Sequence, residues 1–568
     1  MVEETASREE YPWLKNYPAH LDYFTQFEPK PLWSLWDEAV ANYRHRPFLD
    51  FFDRKFSFDQ IDDMISRAAR GFQDLGVRPD VKVGLFLPNC PQFVISFYAI
   101  LKAGGTVVNY SPLYAEPELL HQIEDSQTDI MVTLNLDILY GKMERLMSET
   151  RLKTLVVGTM PEFLPFPKNL LFPLVRRRDI ARVSRDAGHI PFQQLLNNNG
   201  DCKPVDTQPT DIAVLQYTGG TTGVPKGAML SHGSLYVNVQ QAAGWADEIE
   251  FGRERILAVL PFFHVFAMTG IMNLGIRIGA ELIMHPRFEL EAVMKDIAKK
   301  QPTFMSGVPT MFAAMNSHPD LKKYDLSSLK FCLSGGAPLP AEIKSRFETT
   351  SGCALAEGYG LTECSGVASV MPFKGLQKEG SIGLPVPGTR IVITNKDEPD
   401  KVLPMGATGE ICIEGPQLMT GYFGREEATA DILKNGRLHT GDVGFTDEDG
   451  FTFIIDRMKD MILASGFNVF PRHVEEAIYE HPAVEETIVI GIPDDYRGEC
   501  PKAFVKLKDT SENLTAEELH SFLVERLGKH ELPSEIEFRD ELPKTPVGKL
   551  SKKELVAEEA AKREGAAS

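Results

Sequence analysis

The chain is 568 residues long, far beyond what one hydrophobic core supports, so two or more domains are expected. With 43% apolar and 25% charged residues it is globular in make-up rather than disordered or fibrous. A net charge of −20 argues against a general nucleic-acid binder, which needs a basic field to neutralise phosphates.

The seven cysteines (Cys90, Cys202, Cys332, Cys353, Cys364, Cys412 and Cys500) are scattered, without metal-ligand spacing between any pair, and their odd count fits no disulfide framework. A reducing, cytoplasmic setting is the simplest reading. Met1–Glu10 is acidic and lacks the basic-then-apolar order of a secretory leader. Val81–Val108 is the most apolar stretch. Pro88, Asn89, Pro91, Gln92, Lys102, Gly104 and Gly105 interrupt it, so it cannot cross a bilayer as one helix. A soluble or peripheral protein is expected.

In chain order, Val81–Leu87 predicts a buried strand. Pro91 suits the first position of a helix in which Phe93, Val94, Phe97, Tyr98 and Leu101 share one face. Gly104-Gly105 ends it, and Thr106–Val108 opens the next strand, completing a βαβ unit. Phe166–Arg185 sets Leu170, Leu171, Phe172, Leu174 and Val175 ahead of Arg176, Arg177, Arg178, Arg182 and Arg185. That composition fits contact with an anionic membrane surface, and equally a solvated surface loop. Further strands are read at Ile212–Gln216, Ile256–Leu260, Glu281–His285, Thr303–Ser306 and Leu329–Leu333, with helices at Leu290–Lys299 and Pro340–Thr349. The alternation implies a largely parallel sheet covered on both faces.

After about residue 390 the segments become short strands between turns: Thr389–Thr394, Gly409–Glu414 and Gly450–Asp456. A small α+β unit follows: helix Val474–Glu480, strands Glu486–Ile492 and Ala503–Leu507, helix Ala516–Leu527 and strand Glu535–Phe538. This divides the chain into 1–455 and 456–568, with the boundary near Ile455–Asp460. The Ala/Glu/Lys-rich tail from Glu558 is expected to fray.

Tyr217–Gly227 follows an apolar strand and is dense in glycine, hydroxyl and lysine. Glycines let backbone N–H groups close on an anion; Thr218, Thr221 and Thr222 add hydroxyl donors and Lys226 a cation. A P-loop NTPase needs Gly-Lys-Ser/Thr at this point, and Pro225 before and Gly227 after Lys226 exclude it. The stretch resembles the signature loop of the adenylate-forming enzymes: acyl- and aryl-CoA ligases, peptide-synthetase adenylation domains and firefly-type luciferases. Gly219 stands where many members carry serine. The run from Thr218 through Lys226 to His232 is most similar to bacterial long-chain fatty-acyl-CoA ligases.

The resemblance extends from Tyr11 to Leu555 and implies an α/β fold. Its large N-terminal domain has mostly parallel sheets covered by helices plus a β-rich subdomain, and its small C-terminal α+β domain is mobile. It assigns ATP or AMP binding to Thr218, Gly219, Gly220, Thr221, Thr222, Gly223 and Lys226. Ser334–Pro338 resembles the adenine loop, with Gly335, Gly336 and Ala337. In Glu357–Glu363 it adds Glu357, Gly358, Tyr359, Gly360 and Thr362, with Tyr359 stacking on adenine and Thr362 on phosphate. Glu363 binds Mg²⁺, with Thr218 as a second candidate ligand; a hard carboxylate suits that ion. Asp442 and Arg457 take the ribose, Lys459 the hinge and Lys549 the adenylation lysine, while Ser465, Gly466 and Phe467 line the pantetheine channel of CoA. The acyl pocket falls to His264, Val265, Phe266, Gly307, Val308, Pro309 and Met311, with His264 either a gate or a core histidine. Catalytic roles thus go to Lys549, Glu363, Lys226 and His264. Leu463 stands where some long-chain members carry a further lysine, so the pattern carries no phosphate contact over to it.

The implied reaction joins a fatty acid to CoA through acyl-AMP, with Mg²⁺–ATP as cofactor and fatty acid, ATP and CoA as small-molecule partners. A homodimer is compatible with the sequence. A ligase for medium-chain or aryl acids, an acyl-AMP ligase serving a carrier protein, and an inactive lipid-binding relative stay open as alternatives; the last predicts loss of Glu363, Asp442, Arg457 or Lys549, and all four are present.

Overall fold

The computed structural model describes residues 11–218, 225–396, 398–464, 467–494, 497–508, 514–545 and 548–566. Contacts divide the chain into two units: Asn16–Arg390 with Glu414–Leu438, and Met1–Lys15 with Ile391–Ile413 and His439–Ser568.

The larger unit holds two sheets. In the first, parallel strands lie in the order Ala354–Tyr359, Phe331–Gly335, Phe304–Gly307, Arg255–Ala258, Glu281–Met284 and Pro47–Phe51. Antiparallel edges close it: Ser369–Val370 and Leu384–Pro385 on one side, Arg54–Ser57 on the other. In the second, Ile212–Thr218, Thr106–Asn109, Lys82–Leu85, Thr128–Leu134, Thr154–Gly158 and His189–Pro191 are parallel. Lys226–Ser231 and then Gly421–Tyr422 extend it antiparallel.

Local chemistry sets the helices between these strands. Phe58–Asp74 starts from a capped end, with the Gln60 carboxamide accepting from the Ser57 N–H at 3.0 Å. Pro91 opens Pro91–Lys102, where its missing N–H costs nothing, and Gly104 at φ +86° turns the chain out toward Thr106. Every residue from Pro91 to Leu101 is buried, so the single apolar face expected there is one part of a helix enclosed all round.

In the smaller unit, Arg390–Thr394, Gly409–Glu414, Arg437–Thr446 and Thr452–Arg457 are neighbours in one sheet. Pairing of Asp442 with Arg457 and of Val443 with Asp456 crosses the single cut expected near residue 455, and the contact grouping keeps 439–455 with the C-terminal residues. A second sheet orders Phe467–Val469, Ile462–Ala464, Gly498–Leu507 and Val484–Asp494, with Glu535–Phe538 parallel to Gly498–Leu507. Helices Pro471–Tyr479 and Ala516–Val524 pack their apolar residues on it.

The tail corrects an expectation. Lys552–Ala566 is a helix, not a frayed end. Leu555 is buried against Ile488, Ile490 and Phe504, and the buried Lys502 ammonium pairs with Glu559 at 3.0 Å and with Glu535 and Glu537. A composition that frays alone is held by burial and by partners distant in sequence.

Candidate active site

Open α/β sheets bind ligands beyond the carboxyl ends of their parallel strands. Three adjacent strands of the first sheet end in predicted site residues. Phe304–Gly307 runs into Val308, Pro309 and Met311; Phe331–Gly335 into Gly336 and Ala337; Ala354–Tyr359 into Gly360, Thr362 and Glu363. The registers Gly307↔Ser334, Ser334↔Glu357 and Gly335↔Gly358 set them side by side.

Glycines permit the close approaches. A Cβ on Gly360 would lie 2.0 Å from the Gly366 carbonyl oxygen, so only glycine lets the chain cross itself there. That crossing turns the backbone from Tyr359 into the short 3-10 helix Thr362–Cys364, which carries Glu363. A Cβ on Gly335 would meet the Phe266 ring at 3.0 Å, so Phe266, expected in the acyl pocket, packs directly on Gly335, expected in the adenine loop. Thr269 donates its hydroxyl to the Ser365 carbonyl at 2.7 Å, tying the same segment to the turn after Glu363. His264 caps the short helix Val265–Ala267, its Nδ1 accepting from the Phe266 N–H at 3.3 Å. Val308, Pro309 and Met311 are buried.

The loop expected to bind phosphate joins two antiparallel neighbours of the second sheet, with Thr218 opposite Lys226 and Tyr217 opposite Gly227. Gly219, Gly220, Thr221, Thr222 and Gly223 lie outside the described residues. The loop's base is fixed by Tyr217, which donates to Asp125 at 2.7 Å, while Arg425 pairs with the same carboxylate at 2.6 Å. A Cβ on Gly227 would stand 3.0 Å from the Tyr217 ring, so that ring packs closely on the strand.

Tyr422 was not a sequence candidate. Strand Gly421–Tyr422 pairs with Lys226–Ser231, and the Tyr422 hydroxyl donates to Glu363 Oε1 at 2.6 Å. The Lys226 ammonium lies 5.2 Å from the centre of the same ring. The Met419 N–H also donates to the Glu363 carbonyl at 2.8 Å. Cation, phenol and carboxylate are thus brought together from three distant stretches of chain. Glu363 is a single carboxylate, which fits Mg²⁺: that ion keeps several waters and is held through one or two carboxylates together with substrate phosphates.

The smaller unit presents its own set. Asp442 and Arg457 face each other across a strand pair, Nε to Oδ1 2.9 Å, with Asp442 buried. The turn before Asp442 is held by a buried trio: His439 Nδ1 lies 2.7 Å from Glu410 Oε2 and 3.4 Å from Cys412 Sγ, and Glu410 Oε1 accepts from the Gly441 N–H at 3.0 Å. Glu410 and Cys412 are two apart on one strand, so they share a face; their partnership with His439 depends on strand pairing that spacing does not reveal. Lys459 follows strand Thr452–Arg457, and burial lowers its ammonium pKa. Lys549 sits in a closed loop: the Lys549 N–H donates to Thr545 Oγ1 at 3.1 Å, the Thr545 N–H to the Lys549 carbonyl at 2.6 Å, and Gly548 takes φ +83°. Burial, with the Arg457 guanidinium adding, pulls the Lys549 ammonium down to about 8. Ser465 and Gly466 lie outside the described residues; Phe467 opens the strand Phe467–Val469. Leu463 is exposed, and its N–H donates to Glu499 at 2.9 Å.

Glycine turns and a carboxylate gathered at the strand ends of the larger unit are compatible with the AMP-binding class of enzyme. The AMP-binding enzyme family matches residues 36–423 and the AMP-binding enzyme C-terminal domain residues 473–549, and the chain belongs to that family. Long-chain-fatty-acid–CoA ligase of Bacillus subtilis (strain 168) is 41% identical over 560 residues, 96% of this chain and 98% of that protein. Among solved structures, an anthranilate CoA ligase in complex with anthranoyl-AMP has a TM-score of 0.83 at 24% identity, covering 96% of this chain and 100% of that one, a likeness of fold. O-succinylbenzoate coenzyme A synthetase of Bacillus subtilis, in complex with ATP and magnesium ion, has a TM-score of 0.75 at 25% identity, covering 92% of this chain and 98% of that one.

Proposed function

We propose that this chain is a long-chain fatty acid–CoA ligase working in two half-reactions. A carboxylate oxygen of the acid attacks the α-phosphorus of ATP, forming acyl-AMP as pyrophosphate leaves. The thiol of CoA, losing its proton, then attacks the acyl carbon, forming the thioester as AMP leaves. Mg²⁺ bound with ATP supplies charge neutralisation at the phosphates. Glu363 holds that ion, and Tyr422 orients Glu363. Lys226 and the Thr218–Gly227 loop bind phosphate, Tyr359 the adenine, and Asp442 and Arg457 the ribose. Lys549 supplies the cation for the first half-reaction only; the change of state between the halves turns on Lys459, and Ser465–Phe467 serve CoA in the second. The seven scattered cysteines, in odd number, accord with a cytoplasmic setting.

The observation that carries the substrate reading is Phe266. Its ring lies on Gly335 of the adenine loop, and the neighbouring strand Phe304–Gly307 leads into the buried, apolar Val308 and Met311, which supports an acid whose carboxylate meets the nucleotide and whose tail is hydrocarbon. The test is a panel of short, medium, long-chain and aryl acids with ATP and Mg²⁺, with and without CoA, products read by mass spectrometry. Long-chain acids are expected to give the highest kcat/KM, acyl-AMP without CoA and thioester with it. A preference for aryl or short acids would overturn the substrate reading, and thioester never forming would overturn the ligase reading.

A further inference from the structure

Among the described residues, helix Lys168–Val175 has none that is buried. Phe166, Leu170, Leu174 and Val175 are 62–79% exposed, and Leu171 is 49% exposed. This is not a loosely held loop. Met160, Phe163 and Leu164 just before it are buried, and Arg54 Nη1 donates to the Glu162 carbonyl at 2.9 Å. On the far side the Ala181 N–H donates to the Asn135 carbonyl at 2.9 Å and Ile180 bridges to Leu136. The segment leaves a fixed root, shows leucines to solvent, and returns to a fixed root.

A second element joins the same patch. Phe52, 39% exposed, sits in the left-handed turn between strands Pro47–Phe51 and Arg54–Ser57. Lys168 donates to the Phe52 carbonyl at 3.1 Å and pairs with Asp53 at 3.2 Å, locking the turn to the first residue of the helix. Soluble proteins rarely leave a patch of this kind uncovered without a use for it.

The charge around it names the occupant. Between Phe166 and Arg185 the chain carries Lys168 and five arginines against the single carboxylate of Asp179, in a protein of net charge −20. Arg176, Arg177, Arg178, Arg182 and Arg185 are all exposed. A second copy of this chain meeting the patch through a two-fold axis would set its own arginines against these, which opposes self-association. The helix has eight residues, about 12 Å, and no described helix is long and apolar enough to cross a membrane. A short apolar helix rimmed by arginine matches the boundary between acyl chains and anionic headgroups.

We propose that helix Lys168–Val175 with Phe52 and Phe166 docks on an anionic lipid bilayer, its leucines entering the acyl boundary and Arg176–Arg178 on the headgroups. Docking does not rest on the reaction assigned above and is read separately from it.

The test is co-flotation of the full chain with vesicles of phosphatidylcholine containing phosphatidylglycerol, and with vesicles of phosphatidylcholine alone. The wild-type chain is expected to float with the first far more than with the second. Leu170→Asp with Leu174→Asp, and separately Arg176→Gln, Arg177→Gln and Arg178→Gln together, are each expected to lower the partition coefficient more than tenfold, as is raised salt for the wild type. Both variants should keep the wild-type melting curve and acyl-AMP formation from a water-soluble acid, because the changed residues are exposed and lie outside the catalytic set. Wild-type binding that is absent, or indifferent to the anionic lipid, or unaltered in the variants would overturn the proposal. A variant that changes the mass seen by light scattering and leaves flotation unaltered would make the patch a subunit interface instead.

Discussion

Lys549 carries the sharpest residue-level expectation. A cation needed only while pyrophosphate departs should matter to one half-reaction alone. Lys549→Ala is expected to slow acyl-AMP formation by about 100- to 1000-fold, in the range for losing one transition-state charge stabiliser. CoA thioester formation from supplied acyl-AMP should stay near the wild-type rate, and equal loss in both halves would contradict the assignment. Its lowered pKa gives a pH signature. The protonated ammonium is the working form, and burial has moved its loss from the ordinary lysine range down to about 8. So kcat/KM for acyl-AMP formation should fall as pH rises through about 8, about tenfold per further unit. Lys549→Arg, whose guanidinium stays charged, should remove that descent whatever its absolute rate. Tyr422 makes a different prediction. Tyr422→Phe takes away the 2.6 Å hydrogen bond to Glu363 and leaves the ring beneath Lys226. A charge-assisted bond of this kind contributes about 1.5 kcal/mol or more, so the Mg²⁺ concentration for half-maximal acyl-AMP formation should rise roughly tenfold. Titrating Mg²⁺ against initial rate reads it directly; an unshifted curve would mean that Glu363 needs no positioning.

At the scale of elements, the turn after Ala354–Tyr359 decides whether Glu363 and Thr362 are delivered at all. Gly360→Ala would press a Cβ into the Gly366 carbonyl, which is backbone and cannot rotate away. Destabilisation of about 1–3 kcal/mol is expected, read by denaturant titration, together with loss of acyl-AMP formation greater than that destabilisation explains. Wild-type stability and activity would show that the crossing is not required. Elements of this kind were partly legible in the sequence. Pro91 and Gly104 mark their helix correctly because capping is local, and Glu535–Phe538 and Gly409–Glu414 were read to the residue because they are short segments bounded by turn residues, with β-branched or aromatic side chains set among charged ones. The Glu357–Glu363 motif names Glu363, but Tyr422 escaped: its role comes from the antiparallel pairing of Gly421–Tyr422 with Lys226–Ser231, and no periodicity in a two-residue strand announces that. The Glu410–Cys412–His439 trio escaped for the same reason. The tail helix was misjudged because its support, Lys502 and Phe504, lies some fifty residues away in sequence.

For the whole molecule, the larger unit carries the residues proposed for nucleotide, cation and acyl chain on its two sheets, and the smaller unit carries Asp442, Arg457, Lys459 and Lys549. The fold class was legible throughout, because alternating strand and helix admits few architectures. The division into units was less so, since Thr452–Arg457 is covalently next to one part and hydrogen-bonded to Arg437–Thr446 on the near side of the expected cut. The proposed reaction turns on one bond, formed when the acid's own oxygen attacks the α-phosphorus. Supplying a long-chain acid labelled with oxygen-18 in both carboxylate positions, with ATP, Mg²⁺ and CoA, tests it most directly. One labelled oxygen is expected in the phosphate of AMP and none in pyrophosphate, because the thiol later breaks the bond between the acyl carbon and that oxygen. Unlabelled AMP, or label recovered in inorganic phosphate beside ADP, would contradict it.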